Sequence, residues 1–315
     1  MKAFCIKYLL FLACFAAMLY AMLTCIHYKR TNWIYALTDK YKRAEELPSP
    51  KLIFVGGSSL AFGIDSKTIQ DSLHLPVVNM GIHADLGISF QLSETDMLAR
   101  KGDIVVWSFE YYPNDEEAIN GDDNVKIISY DALPEIYNYI TWYKKLEFLK
   151  LKFFYFPRMG SKQLPSWLSV FRQQNVMSID TAVFSYNRKA FNSYGDIRNQ
   201  LCRKDNVSVL NFKLKQGYTE EAALMNEYAD KLTARGVKVL FFFPCIMHTY
   251  YSGNKPGFDT IQSGYEKMLK VPVLNKISEV VYPDSMFYDQ IYHLNKFGRK
   301  VYTRLMLTKL KSALN

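Results

Sequence analysis

Short apolar runs that alternate with helix-patterned stretches constrain this fold more than any other feature of the chain. KLIFVGG (51–57), PVVNMG (76–81) and DIVVWSFEYY (103–112) read as strands, the last too apolar to be half exposed. Between them, DSKTIQDSL (65–73) is helical with Asp65 as candidate N-cap. GISFQLSETDMLARKG (87–102) is an amphipathic helix closed by Gly102. Strand, helix, strand, helix, strand predicts a parallel sheet with helices on both faces, hence an α/β domain. The alternation resumes after Gly217. YTEEAALMNEYADKLTARG carries acids in its first turn and Arg235-Gly236 at its end, and VKVLFFFP (237–244) is a fourth buried strand. A further helix is expected within 258–279, and LNKFGRKVYTRLMLTKLKSAL (294–314) packs a last helix back on the sheet.

The rhythm breaks between the third and fourth strands. Residues 113–215 show no βαβ unit, and IYNYITWYKKLEFLKLKFFYF (136–156) alone carries nine aromatic residues. A mostly helical, aromatic-rich insertion is expected there, over or beside the active-site edge. Asn206-Val-Ser208 fits the glycosylation acceptor pattern, a tripeptide common by chance. The α/β domain is thus divided into 51–112 and 216–315.

The N-terminus is of another kind. Tyr8 to Ile26 is a run of 19 residues without a charge. At 1.5 Å per residue it is about 28 Å long, close to the hydrocarbon thickness of a bilayer. It is longer than the core of a cleaved signal peptide, and no small-x-small site follows. Residues 1–30 are therefore expected to be an uncleaved transmembrane signal anchor, and 31–50 a polar neck. No second apolar run reaches that length, so the rest of the chain is expected on one side of the membrane.

Cys5, Cys14 and Cys25 fall in or beside the anchor, which leaves Cys202 and Cys245 for the rest. Two cysteines without a C-x-x-C pattern make no metal site. They are expected as two buried thiols, with a disulfide as the alternative. The formal charge of +9 suits an anionic surface or polymer, but lysine and arginine are scattered, which does not point to nucleic acid.

VGGSSLAFGID (55–65) carries the chemistry. It holds neither Gly-x-x-x-x-Gly-Lys-Ser/Thr nor Gly-x-Gly-x-x-Gly, so it is no phosphate cradle or dinucleotide loop. What remains is a serine at the carboxyl end of the first strand, the edge where open parallel sheets bind ligands. Such a serine needs a base. His83 and His248 each follow a strand, but only His293, in FYDQIYHLNKFG, has a carboxylate four residues earlier, Asp289. A carboxylate orients the imidazole and stabilises its cation.

Gly56-Gly57-Ser58 after a strand, Gly81 at the end of the next, and Asp289-x-x-x-His293 before a C-terminal helix resemble, in order, the SGNH (GDSL-like) hydrolase superfamily. The resemblance spans nearly the whole chain after the anchor, with 113–215 as the insertion. It implies a three-layer flavodoxin-like parallel sheet. It makes Ser58 the nucleophile, with Gly57 in place of the usual aspartate; a shift of one residue would select Ser59. His293 becomes the base and Asp289 its orienting acid, and the backbone N–H groups of Ser58 and Gly81 form the oxyanion hole. The chain departs from the family at its third block. No asparagine follows the third strand until Asn114, and Glu110 stands near that place. Asn79, beside Gly81, is read as a turn-bonding residue.

An anchored domain of this kind is similar to the alginate acetylation proteins and the D-alanyl transfer protein of lipoteichoic acid synthesis. The resemblance implies a serine esterase or O-acyltransferase without a cofactor or metal, at the outer face of a bacterial cytoplasmic membrane. Its partners would be a cell-envelope polysaccharide or acylated glycan and a membrane O-acyltransferase. A lipid esterase, or a catalytically weak accessory protein, is the alternative.

Overall fold

The computed structural model describes residues 2–25, 32–143, 145–146, 149–150, 187–202, 214 and 219–314. Most of the aromatic insertion, with the Asn206-Val-Ser208 tripeptide, lies outside these residues. The described strands are β1 (Leu52–Gly56), β2 (Val77–Asn79), β3 (Ile104–Ser108) and β4 (Lys238–Phe241). They form one parallel sheet in the order β2-β1-β3-β4, as the alternation predicts. β1 and β3 pair along their whole length, Leu52 opposite Ile104 and Gly56 opposite Ser108. Beyond β4, Val273 makes a parallel bridge to Phe241, a rudiment of a fifth strand. This is compatible with a flavodoxin-like layout. Two short strands, β5 (Ile246–Met247) and β6 (Val281–Tyr282), pair separately.

Helices cover the sheet. α1 (Lys2–Cys25) precedes the domain, followed by α2 (Ala36–Glu46). After β1 come α3 (Ser58–Gly63) and α4 (Ser66–Leu73), and after β2 comes α5 (Ile88–Leu98). Asp65 does cap α4, its Oδ1 accepting the Thr68 N–H at 3.1 Å. α3 is not among the helices that the sequence pattern predicts. The start of the insertion holds α6 (Asp115–Asn120) and α7 (Asp123–Ala132). α8 (Thr219–Ala234) leads into β4. α9 (His248–Gly253), α10 (Lys255–Met268) and α11 (Lys296–Leu314) complete the chain.

Leu52, Ile53, Phe54 and Val55 of β1 are fully buried, as are Val105, Val106 and Trp107 of β3. Both faces of the central strands are covered, which is why these runs read as continuously apolar. Buried pairs of Phe241, Phe243 and Tyr265, with centroids 5.1–5.7 Å apart, close the β4 side.

At the N-terminus, the side chains of Phe4, Leu9, Phe11 and Tyr20 on α1 are exposed. Among the described residues no helix is long and apolar enough to cross a membrane; the expected span ends at Ile26, outside them. The expected neck is more than a tether, because α2 buries Ala36, Leu37, Lys40 and Ala44 against the domain. Lys40 is the one charged residue among them. Its Nζ donates to the carbonyls of Asn79, Gly81 and Gly195 at 2.9, 2.6 and 2.6 Å. Burial pushes this ammonium down to about 7, against the pull of Asp196, Glu94 and Asp39. Three carbonyl acceptors match the three N–H bonds of the charged form.

Lys40→Met keeps the apolar stem and strands three buried carbonyls. At about 1–3 kcal/mol for each unsatisfied group, the domain should lose at least about 3 kcal/mol. Urea denaturation of the variant beside the parent measures this; an unchanged midpoint would remove Lys40 as the clamp between α2 and the sheet.

Candidate active site

The double glycine after β1 answers to two close approaches. A Cβ on Gly56 would overlap the Ser108 carbonyl oxygen on the neighbouring strand. A Cβ on Gly57 would overlap the carboxyl group of Glu110. Neither glycine has a positive φ; both are needed for space. The chain then turns into α3, and the serines part company. Ser59 is fully buried, whereas Ser58 is half-buried and reaches the histidine.

His293 Nε2 lies 2.8 Å from Ser58 Oγ, and His293 Nδ1 lies 2.7 Å from Asp289 Oδ1. Ser58 is 235 positions from His293 in the chain and one hydrogen bond away in space. With Asp289 as carboxylate, Nδ1–H donates to it, and Nε2 is left to accept the Ser58 hydroxyl proton. Ser58 rather than Ser59 is the serine in contact with His293, and Ser58, His293 and Asp289 meet in space.

The loop that carries the base is tied on itself. The Tyr288 N–H donates to the His293 carbonyl at 2.8 Å and the His293 N–H to the Gln290 carbonyl at 3.2 Å. Phe287 and Leu294 form an antiparallel bridge around it. Phe62 of α3 covers the imidazole, stacked at a centroid distance of 3.9 Å and an interplanar angle of 5°. Only 2% of the His293 side chain is exposed, against 14% for Asp289. The imidazole of His293 thus sits in a water-poor setting, with its ring plane set by Phe62 and its in-plane angle by Asp289.

The other two histidines named above make no hydrogen bond to this unit among the described contacts. His248 is exposed on α9, 3.4 Å from the Ser252 hydroxyl. His83 accepts the Asp85 N–H at 3.1 Å. Burial holds His83 below the ordinary imidazole range, and the charge of nearby His293 adds to this. Cys245 is a buried free thiol, pushed up by burial; the Cys202 side chain lies outside the described residues.

The oxyanion side differs from expectation. The Gly81 N–H does not stand open beside that of Ser58; it donates to Asn79 Oδ1 at 2.9 Å. The reason is local: Asn79 makes the turn-bonding contact two residues on. Asn79 Nδ2 is spent as well, on the Leu60 carbonyl at 3.0 Å and on Asp196 at 2.9 Å. Gly81 itself is pressed to the nucleophile turn, where a Cβ would stand 2.7 Å from the Gly57 carbonyl oxygen. Glu110 Oε1 accepts the Ser59 N–H at 2.7 Å. The N–H of Ser58 makes no hydrogen bond among the described residues.

Glu110 is buried, and burial pushes its carboxyl up to about 7; the N–H groups of Ser59 and Gly57 pull the other way. No protein-family model matches the chain, and no curated protein matches it.

Two outcomes are expected. The folded-state pKa of Glu110 lies above its unfolded value of 4.5. Its protonated form therefore stabilises the fold fully below about pH 4.5, and that contribution is lost as pH rises through about 7. Glu110→Gln, a neutral analogue, should gain stability relative to the parent between those pH values and keep a constant difference above them. A difference flat from pH 4 to 8, measured by thermal unfolding, would show that Glu110 does not titrate as described. Separately, Gly57→Ala should cost about 1–3 kcal/mol by overpacking, and Glu110→Ala in the same chain should recover part of it.

Proposed function

We propose that this protein is a serine esterase or O-acyltransferase of the SGNH type. Its α/β domain would be the three-layer flavodoxin-like fold of that superfamily, anchored by residues 8–26 in a bacterial cytoplasmic membrane with the domain facing the periplasm or cell exterior. The observation that carries the reading is the hydrogen-bonded chain Ser58–His293–Asp289 at the carboxyl end of β1. Support for the anchor is the uncharged run 8–26 itself.

In this reading Ser58 Oγ attacks an ester carbonyl while His293 Nε2 takes its proton, and Asp289 stabilises the imidazolium. The tetrahedral oxyanion is met by the Ser58 N–H. His293 then returns the proton to the leaving alcohol, and an acyl-Ser58 intermediate remains. A water or a sugar hydroxyl, deprotonated by the same imidazole, takes the acyl group. The substrate is a small acyl ester of a cell-envelope polysaccharide, in partnership with a membrane O-acyltransferase.

A second reading, a catalytically weak accessory protein, is favoured by one observation. The Gly81 N–H is engaged by Asn79 and the Ser59 N–H by Glu110, and a single oxyanion donor is worth about 10²–10³ in rate.

A fluorophosphonate probe on the full chain separates the two. Labelling is expected on the parent, none on Ser58→Ala, and at least about 10³-fold slower labelling on His293→Ala. The double variant should lose little more, since the two residues act as a unit. No labelling of the folded parent would leave the accessory reading.

A further inference from the structure

One face of α11 carries a feature that the Ser58 unit does not use. A groove of about 460 Å³ runs between α11 and the start of α4. Along its wall stand Lys296, Lys300 and Arg304, spaced by four residues and all exposed. Four residues of helix rise about 6 Å, so the row spans about 12 Å. The three cations have no hydrogen-bond or ion-pair partner among the described residues. The ion pair that α11 forms outside the groove, Lys309 with Glu279 at 2.6 Å, shows what a satisfied cation on this helix looks like.

The floor holds a fourth cation, already paired with the buried Asp196. Arg299 is 5% exposed and lines the same groove. Its Nη1 donates to the Ile197 carbonyl at 2.9 Å and its Nη2 to Asp196 at 3.2 Å, while its Nε has no partner. The one carboxylate in the lining, Asp65, is engaged in capping α4. Leu201 and Leu307 supply apolar wall.

The groove also lies next to the site. Lys296 follows His293 by three residues. Gln200, the neighbour of Leu201, donates its side-chain N–H to the Phe62 carbonyl at 3.3 Å, and the Phe62 ring is the one stacked on His293.

We infer that this groove holds one strand of an acidic polysaccharide and leads it to Ser58. A single small anion would meet one or two of the cations; a chain with a negative charge on each sugar-sized repeat meets the whole row. Sugar faces suit the apolar wall, and a recessed channel admits a strand where a flat bilayer surface would not enter. The inference rests on the envelope-glycan reading for its place in the reaction, but binding itself does not require Ser58 to react.

The full chain in neutral-lipid nanodiscs is titrated with polygalacturonate, and in parallel with uncharged dextran. Polygalacturonate should bind and dextran should bind at least tenfold more weakly. Lys300→Gln with Arg304→Gln should weaken polygalacturonate binding at least tenfold. The same pair should lower the slope of log affinity against log salt by about 1–2, as expected when two ionic contacts are removed. Both positions are exposed, and an unchanged thermal transition verifies the fold. Equal binding by the double variant, or dextran binding as tight as that of polygalacturonate, would overturn the inference. Ser58→Ala should bind like the parent, so failure of the probe experiment above and failure of this one are separate results.

Discussion

A single buried carboxylate, Asp196, joins the parts of the chain on which the site rests. It accepts the Ser66 N–H and hydroxyl at the start of α4, at 3.0 and 2.6 Å. It accepts Asn79 Nδ2 at the end of β2 and Arg299 Nη2 on α11. Away from water such charge-assisted bonds reinforce one another, and losing one member leaves the rest uncompensated. The helix that follows the His293 loop, the turn of Gly81 and the start of α4 therefore share one negative charge. Lys40 acts on the same turn from the opposite side, through the carbonyls of Asn79 and Gly81. Between them these two groups fix the β2 end, against which the Gly57-Ser58 turn packs.

Much of this architecture was legible because parallel strands buried on both faces leave unbroken apolar runs. The ends were not. DIVVWSFEYY looks like one strand, yet pairing stops at Ser108, and Phe109 to Tyr112 leave the sheet although they stay buried. That departure delivers the Glu110 carboxyl to Gly57. α3 escaped notice because six residues ending in glycine carry no helical period. Ser58, Asp289 and His293 were legible through their order along the chain and their places at strand and loop ends. Phe62, Lys40, Asp196 and Arg299 were not, since their partners lie far off in sequence. Lys40 and Gly195 are 155 positions apart, and Arg299 and Asp196 103. Nothing local marks such a residue.

The oxyanion side shows how one residue type can be read two ways. Asn79 looked like a turn former and is one, but the acceptor it offers takes the backbone donor that the resemblance assigned to Gly81. Glu110 likewise fills the space that Gly57 leaves by lacking a side chain. Glycines that appear to open a pocket are here filled by neighbouring groups of the same chain.

Spacing within α3 has a mechanical consequence. Ser58 and Phe62 are four residues apart and so share one face of one helix. Ser58 and the ring stacked on His293 thus belong to one short helix, set opposite the tied loop of Asp289 and His293. Alignment of Ser58 with His293 reduces to how these two elements are seated against each other. Any shift of α3 moves Ser58 and Phe62 together relative to His293.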